Sequence, residues 1–531
     1  MSIKKIEDYT TRILTSTPLS FLYSFIVGFI MYLPAITAPL ASGDGVLYSL
    51  YSHGEDYSWE GYQGRFMIHY WDRFGTYRYV PSLSIILLIT FISIIFVIII
   101  RSFANKTSLV LLFIPFFLFL NQNIESLSTY YYCEASYSFA HLLGVLAFLA
   151  WIKGLDSKNW IKIIVGFLLL IMATSTYQSY ITVATTFCLI ALLFELLYTE
   201  KESSAVLKKG ALLLLFSGAT LIIYRVYLTF RSSKLSDYHG ISTMESSMNP
   251  ALIPKSIVTA YSYFVMHFFS KNEFINNAWN SRGKINIIVF GIFAAIIAYH
   301  IFKIKKSEQS SKLLKSVLIV AICLILPLSI RGVNILAPQV SSYADTGSLM
   351  FPTNNYIYII VALMINNSIS INTQSTLIKK CLYSFGAVVM AAYALISISY
   401  HIVFEDCMRI KYDMYKTAAY RVVSELDRMG YTYDTPLSFY GSPEDMRGAY
   451  NLEEYDDILI GTIAPYDIIW RDNTDAFSKY FNDYLGIDYM KCEFWHEKDV
   501  RETEQVKNMP VFPEEGSIQE VDGTLVVKLS E

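Results

Sequence analysis

The chain has 531 residues, of which 54% are hydrophobic and 16% charged, with a formal net charge of -3. That is more apolar surface than a soluble protein of this length can bury in a core, so the surplus must face lipid. A cut before Glu405 leaves 27 acidic against 13 basic residues after it and 18 against 29 before it; no block is both soluble and basic, which excludes nucleic acid as a partner class.

In chain order, uncharged windows of the length needed to cross roughly 30 Å of hydrocarbon predict about eleven transmembrane helices. They lie near 18–38, 81–100, 108–121, 138–152, 160–174, 180–198, 210–229, 285–302, 313–330, 354–370 and 381–404. The first, Leu19 to Leu40, is too long and lacks the small-residue cleavage site of a signal peptide, so it reads as a retained helix. The connections carrying Lys4, Lys5, Arg12, Arg101, Lys106, Lys153, Lys158, Lys201, Lys208, Lys209, Lys303, Lys305, Lys306, Lys379 and Lys380 all fall on one side if the spans alternate. The positive-inside rule makes that side, and the N-terminus, cytoplasmic. The long connections 39–80, 121–137, 231–283 and 331–353 then lie outside, as does the acidic tail.

The segment 250–270 is apolar and aromatic but broken by prolines and Lys255, which suits an amphipathic helix in the interface plane; a crossing there would instead put the tail on the other side. Residues 1–404 therefore form the membrane part and 405–531 a small acidic extracytoplasmic α/β domain. In that domain, 406–430 repeats apolar positions at three and four and stops at Gly430, while 436–441 and 524–529 read as strands. Cys407 and Cys492 both fall there and pair only if it faces an oxidising compartment. It contains no nucleotide-binding or metalloprotease motif.

The stretch 39–80 holds the most chemistry. Asp44 stands about five residues past the first span between Gly43 and Gly45, which leave its carboxylate uncovered at the membrane surface. Asp56 and Glu60 follow at i and i+4, then Arg65, among Trp59, Tyr62, Phe66, Tyr70 and Trp71. A plainer reading makes the loop an interfacial aromatic belt with solvated charges. On the other outer loops, Arg331 presents a planar fork suited to a phosphate, or else snorkels as an anchor at a helix end. Glu134 is a candidate for positioning a sugar hydroxyl, Tyr177 and Gln178 for stacking on and bonding the same ring, and Asp345 is a weaker candidate. His53 and His69 lack the spacing of a metal pair on one helix face.

Chemistry on the outer face excludes nucleotide sugars and ATP as donors, and the cytoplasmic connections are too short for a nucleotide fold. A lipid-phosphate-linked sugar fits. Its phosphate leaves as an anion without needing a proton, so one carboxylate base toward the acceptor hydroxyl suffices, with a cation opposite the phosphate. Asp44 offers the first, Arg331 or Arg65 the second.

With Gly43-Asp44-Gly45 after the first span, Tyr-Gln-Gly-Arg-Phe at 62–66, Ser-Thr-Tyr-Gln at 175–178 and a tail ending MPVFPEEGSIQEVDGTLVVKL, the chain resembles the GtrII-type bacterial membrane glucosyltransferases, relatives of the GT-C group. The resemblance implies a GT-C-like fold in the bacterial inner membrane and inverting transfer of glucose from undecaprenyl-phosphate glucose to a surface glycan such as O-antigen. It also implies a partner flippase and a polyprenyl-phosphate sugar synthase, and it makes Asp44 the acidic residue on the first outer loop. Asp56 and Glu60 on the same loop keep that assignment open. No cofactor is expected: some GT-C relatives use a divalent metal, but Asp44 has no dense carboxylate cluster around it. The rival readings are a flippase or transporter for lipid-linked glycans, disfavoured by spans almost free of charge, and a glycan polymerase or ligase.

Overall fold

The computed structural model describes residues 3–37, 58–71, 80–130, 133–230, 250–269, 283–306, 312–336, 349–368, 376–431, 437–441 and 500–530. Asp44, Asp56, Asp345, His53 and Cys492 lie outside the described residues.

The first expected span is preceded by a separate helix across a sharp bend. Helix α1 (Ile3–Thr15) is amphipathic and meets α2 (Thr17–Met31) at 103°. Ser16 starts the new helix by accepting from the Leu19 amide, and Pro18 sits in its first turn, where a missing N–H costs nothing. A turn at Tyr32 separates α2 from α3 (Leu33–Thr37). Short helices α4 (Ser58–Tyr62) and α5 (Ile68–Trp71) follow, then α6 (Pro81–Phe103). A 3-10 turn at Leu109–Phe113 leads into α7 (Ile114–Phe119), followed by α8 (Gln122–Leu127). The next four helices are α9 (Glu134–Asp156), α10 (Trp160–Thr176), α11 (Ile181–Tyr198) and α12 (Ser203–Phe230).

Helix α13 (Ile253–Phe269) buries a stripe of Ser256, Ala260, Phe264 and His267 and exposes Val258 and Val265, as an amphipathic helix does. After it come α14 (Lys284–Lys306), α15 (Lys312–Ile330), α16 (Gly332–Leu336) and α17 (Tyr356–Ser368). The last is α18 (Thr376–Met429), 54 residues long.

Among the described residues seven helices are long and apolar enough to cross a bilayer, and the bent α1–α2 pair passes only when its two helices are taken together; Leu109–Phe119, Trp160–Thr176 and Tyr356–Ser368 are apolar but shorter. Together these segments fall at the positions expected for spans. Two of the short ones need no match to bilayer thickness because protein surrounds them: α17 is buried almost throughout, and the 109–119 segment packs along it. Asparagines close their ends, satisfying polar groups that lipid would leave bare. Asn355 donates to Phe117 O (3.2 Å) and Leu120 O (2.9 Å), and Asn121 donates back to Pro352 O (2.7 Å). At the other end Asn367 donates to Phe103 O (2.8 Å) and Asn366 to Lys106 O (3.0 Å).

The basic connections gather at that second end. Arg101 donates to Thr15 O (2.8 Å), Phe103 stacks on Phe148 and Phe187, and Tyr198 donates to Met364 O. There Lys209 pairs with Glu195 (2.6 Å) and Asp156 (2.9 Å), and Lys201 with Glu195 (2.8 Å).

The expected last span and the tail's amphipathic helix are one rod. Nothing interrupts it, because no glycine or proline occurs between Ala387 and Met429, and it stops at Gly430 with φ 75°. Beyond it, β1 (Leu437–Tyr440), α19 (Glu504–Lys507), β2 (Ile518–Val521) and β3 (Thr524–Lys528) form a small unit with strand order β1-β3-β2. β3 runs parallel to β1 and antiparallel to β2. Asp522 and Gly523, both at positive φ, make the two-residue turn of the β2–β3 hairpin.

Candidate functional site

At the end of the bundle opposite the basic connections, the segment 58–71 is laid across the end of α10. Met67 N donates to Ser175 O (3.0 Å) and Trp71 Nε1 to Thr176 Oγ1 (2.8 Å). Gly64 makes this approach possible. At φ 81° it takes a left-handed turn, and a Cβ there would lie 2.7 Å from the Leu228 side chain and 2.8 Å from the Tyr224 hydroxyl. The Tyr224 hydroxyl donates to Gly64 O (3.1 Å), and Gln178 Nε2 bonds Gln63 O (2.6 Å) and Tyr224 OH (3.0 Å).

That clamp turns Arg65 inward. Its guanidinium lies 4.5 Å from the Tyr177 ring centre, and Nη1 donates to Tyr137 OH (3.2 Å). Tyr137 and Tyr177 stack at 4.7 Å, with Tyr180 edge-on to both. Stacking on a ring leaves guanidinium N–H groups in the ring plane's direction for an anion, which an ammonium would not do.

The structure thus joins Arg65, Tyr177 and Gln178, three of the residues singled out from sequence, and places Glu60 on the same buried turn, where its carbonyl accepts from the Arg65 amide (2.8 Å). Glu134 opens α9 one turn before Tyr137 and is fully buried; among the described residues neither carboxylate oxygen has a hydrogen-bond partner. Arg331, also 0% exposed, lies with its guanidinium 4.1 Å from the Phe351 ring centre. Thr353, on the same stretch, bonds Ile330 O. A snorkelling Arg331 and a solvated Glu60 and Arg65 are therefore corrected: chain folded over them from other segments seals these charges from water. Charges are buried at such cost where a partner or ligand uses them.

Several residues at this end were not legible beforehand. Tyr137, Tyr180, Tyr224 and Gln63 act through contacts distant in sequence; the tyrosine-rich run 130–137 was the available signal for the first. His141, two turns below Glu134, meets the Tyr356 hydroxyl through Nε2 at 2.5 Å. Among the described residues no group of three or more His, Cys, Asp or Glu is arranged to hold a metal ion.

Comparison with curated proteins and with solved structures gives no match. The sequence model of the family described as Glucosyl transferase GtrII matches residues 51–351, more than half of the chain. The matched region takes in Asp56, Glu60, Arg65, Glu134, Tyr177, Gln178, Arg331 and Asp345 and begins after Asp44. A family model that covers more than half of the chain, and with it both buried arginines, carries the assignment: the chain belongs to the GtrII family of membrane glucosyl transferases.

Proposed function

We propose that the protein transfers glucose from a polyprenyl-phosphate-linked donor to a surface glycan such as O-antigen, on the outer face of the bacterial inner membrane, with inversion. In this reading eleven spans cross the membrane, the N-terminus is cytoplasmic and the C-terminal α/β unit lies outside. The observation that carries it is the pair of buried guanidiniums, Arg65 on Tyr177 and Arg331 on Phe351, at the end away from the lysine-rich connections.

Arg65 and Arg331 hold and neutralise the donor phosphate, whose departure as an anion needs no general acid. Asp44, on the first outer loop, takes the proton from the acceptor hydroxyl as it attacks the anomeric carbon; the C–O bond to phosphate breaks as the glycosidic bond forms. Asp56, Glu60 and Glu134 stand as alternative bases. Tyr177 and Gln178 contribute a ring face and an amide beside the phosphate. No divalent metal is required in this scheme, and the chain works downstream of a polyprenyl-phosphate sugar synthase and a flippase.

A transporter reading has less support. The charges that lie in or near spans at the far end are mutually paired, Lys209 with Glu195 and Asp156, as scaffold rather than along a path.

The test is transfer by the purified full-length protein in lipid, given polyprenyl-phosphate glucose and a lipid-linked glycan acceptor. Single-glucose addition that persists in a chelator is the expected result. Addition of whole repeat units, or movement of the donor across the bilayer without transfer, would replace this reading.

A further inference from the structure

Beside the arginines lies a second kind of surface. Asn123 Nδ2 donates to Leu349 O (2.6 Å) and Gln178 Nε2 to Gln63 O (2.6 Å). Carbonyls accept, so in both amides the nitrogen is the atom already used and the oxygen is the atom left over. Among the described residues Gln178 Oε1 and both oxygens of Glu134 are buried without a partner, and Asn123 Oδ1 and the Tyr180 hydroxyl have no well-formed bond and only the Asn123–Tyr180 approach to each other. All four side chains are at most 3% exposed. Tyr180 faces Asn123, and the rings of Tyr137 and Tyr177 join Tyr180 to Gln178 on one side and to the first turn of α9 on the other.

Except for the Tyr180 hydroxyl, and for the Glu134 carboxyl when it carries a proton, these leftover atoms only accept. A phosphate, which also only accepts, gains nothing from them; a ring bearing several hydroxyl donors satisfies them together. Buried acceptors cost free energy when left unmet, so this face discriminates sharply against a ligand lacking the matching hydroxyl. We propose that Asn123, Glu134, Gln178 and Tyr180 form a hydroxyl-recognising subsite for a pyranose ring, separate in chemistry from the arginine-bearing face that takes the phosphate. The assignment rests on the transfer reading above and adds to it a division of the site into an anion half and a polyol half.

Binding of a short-chain prenyl phosphoglucose to the full-length protein in nanodiscs, measured by calorimetry beside the sugar-free prenyl phosphate, tests it. Each ring hydroxyl is replaced in turn by hydrogen or by fluorine, which cannot donate. At one or more positions both replacements are expected to weaken binding at least tenfold. Tyr180→Phe removes a hydroxyl whose polar neighbour among the described side chains is Asn123 alone, so it should shift the melting temperature little and cost about fivefold in affinity. Glu134→Gln, which introduces donors at constant shape, should shrink the hydroxyl-to-fluorine gap below threefold. The subsite is overturned if every fluoro analogue binds within twofold of the parent, or if both variants bind the parent as wild type does. If neither prenyl phosphate binds, the donor reading is what fails. The same deoxy and fluoro series built on the acceptor oligosaccharide then decides the subsite by the same criterion.

Discussion

The two ends of the helix bundle treat buried polar groups in opposite ways. At the end carrying the basic connections, Lys209, Glu195, Asp156 and Lys201 form a closed set of ion pairs, and Asn366 and Asn367 spend their amides on the carbonyls of the 103–106 turn. At the other end Glu134 and Gln178 keep oxygens with no partner among the described residues, and Tyr180 and Asn123 have only each other. Single oxygens stay unmet at the basic end too, Glu195 Oε2 and Asn366 Oδ1 among them, but there each carboxylate has a lysine, whereas the Glu134 carboxyl has no hydrogen-bond partner among the described residues. Completed networks hold a fold together, whereas incomplete ones are retained where a ligand supplies the missing half.

Substitutions at the two ends should separate activity from stability. The largest effect is expected at Asp44: Asp44→Asn removes the base at constant shape and should cut transfer about 10²–10⁴-fold with insertion unchanged. Full activity of that variant in the reconstituted assay would move the role to Asp56, Glu60 or Glu134. Next, Arg65→Lys keeps the charge but loses the planar fork over Tyr177. It should lower kcat/KM for the lipid-phosphate donor about 10²-fold while acceptor KM stays within twofold, and equal losses on both substrates would remove the phosphate role.

At the closed end the order reverses. Lys209→Met leaves Glu195 and Asp156 with only Lys201 and should destabilise by about 1–3 kcal/mol, below the full cost of a dry buried pair because Asp156 is half exposed. A lower melting temperature with normal turnover per folded molecule is the expected readout; lost turnover at unchanged stability would erase the distinction between the ends. The smallest effect belongs to neither end. Gly523→Ala strains the positive φ of the β2–β3 turn and should cost about 1 kcal/mol, read as easier proteolysis of the tail.

Apolar length, lysine placement and turn residues act locally, which is why the spans, the stop at Gly430 and the strands at 437–440 and 524–528 were legible in the sequence. The bend at Ser16 has a local cause too, a capping serine ahead of Pro18, but it lies just before the first expected span, where hydropathy gives no signal. Fusion of the last span with the tail helix escaped detection because charge density changes at Glu405 while helical periodicity does not. At the site, Arg65, Glu134, Tyr177, Gln178 and Arg331 stood out as unusual residues beside spans. Their burial was not legible, since it is produced by segments more than a hundred residues apart, as in the bond from Gln178 to Gln63. Likewise the unmet oxygens of Asn123 and Gln178 follow from which carbonyls their nitrogens reach, information that exists only after folding.

Helix α18 sets how the C-terminal unit relates to the rest. At 1.5 Å per residue its 54 residues run roughly 80 Å, well over twice the thickness of the hydrocarbon layer. A rod of unbroken backbone bonds has no joint, and Arg421, far along it, rests over Phe512 of the terminal unit at 5.6 Å. Tilting the membrane segment must then carry the β-sheet with it, like a pennant fixed to its pole, so that the sheet reports the attitude of the bundle instead of wandering on a tether.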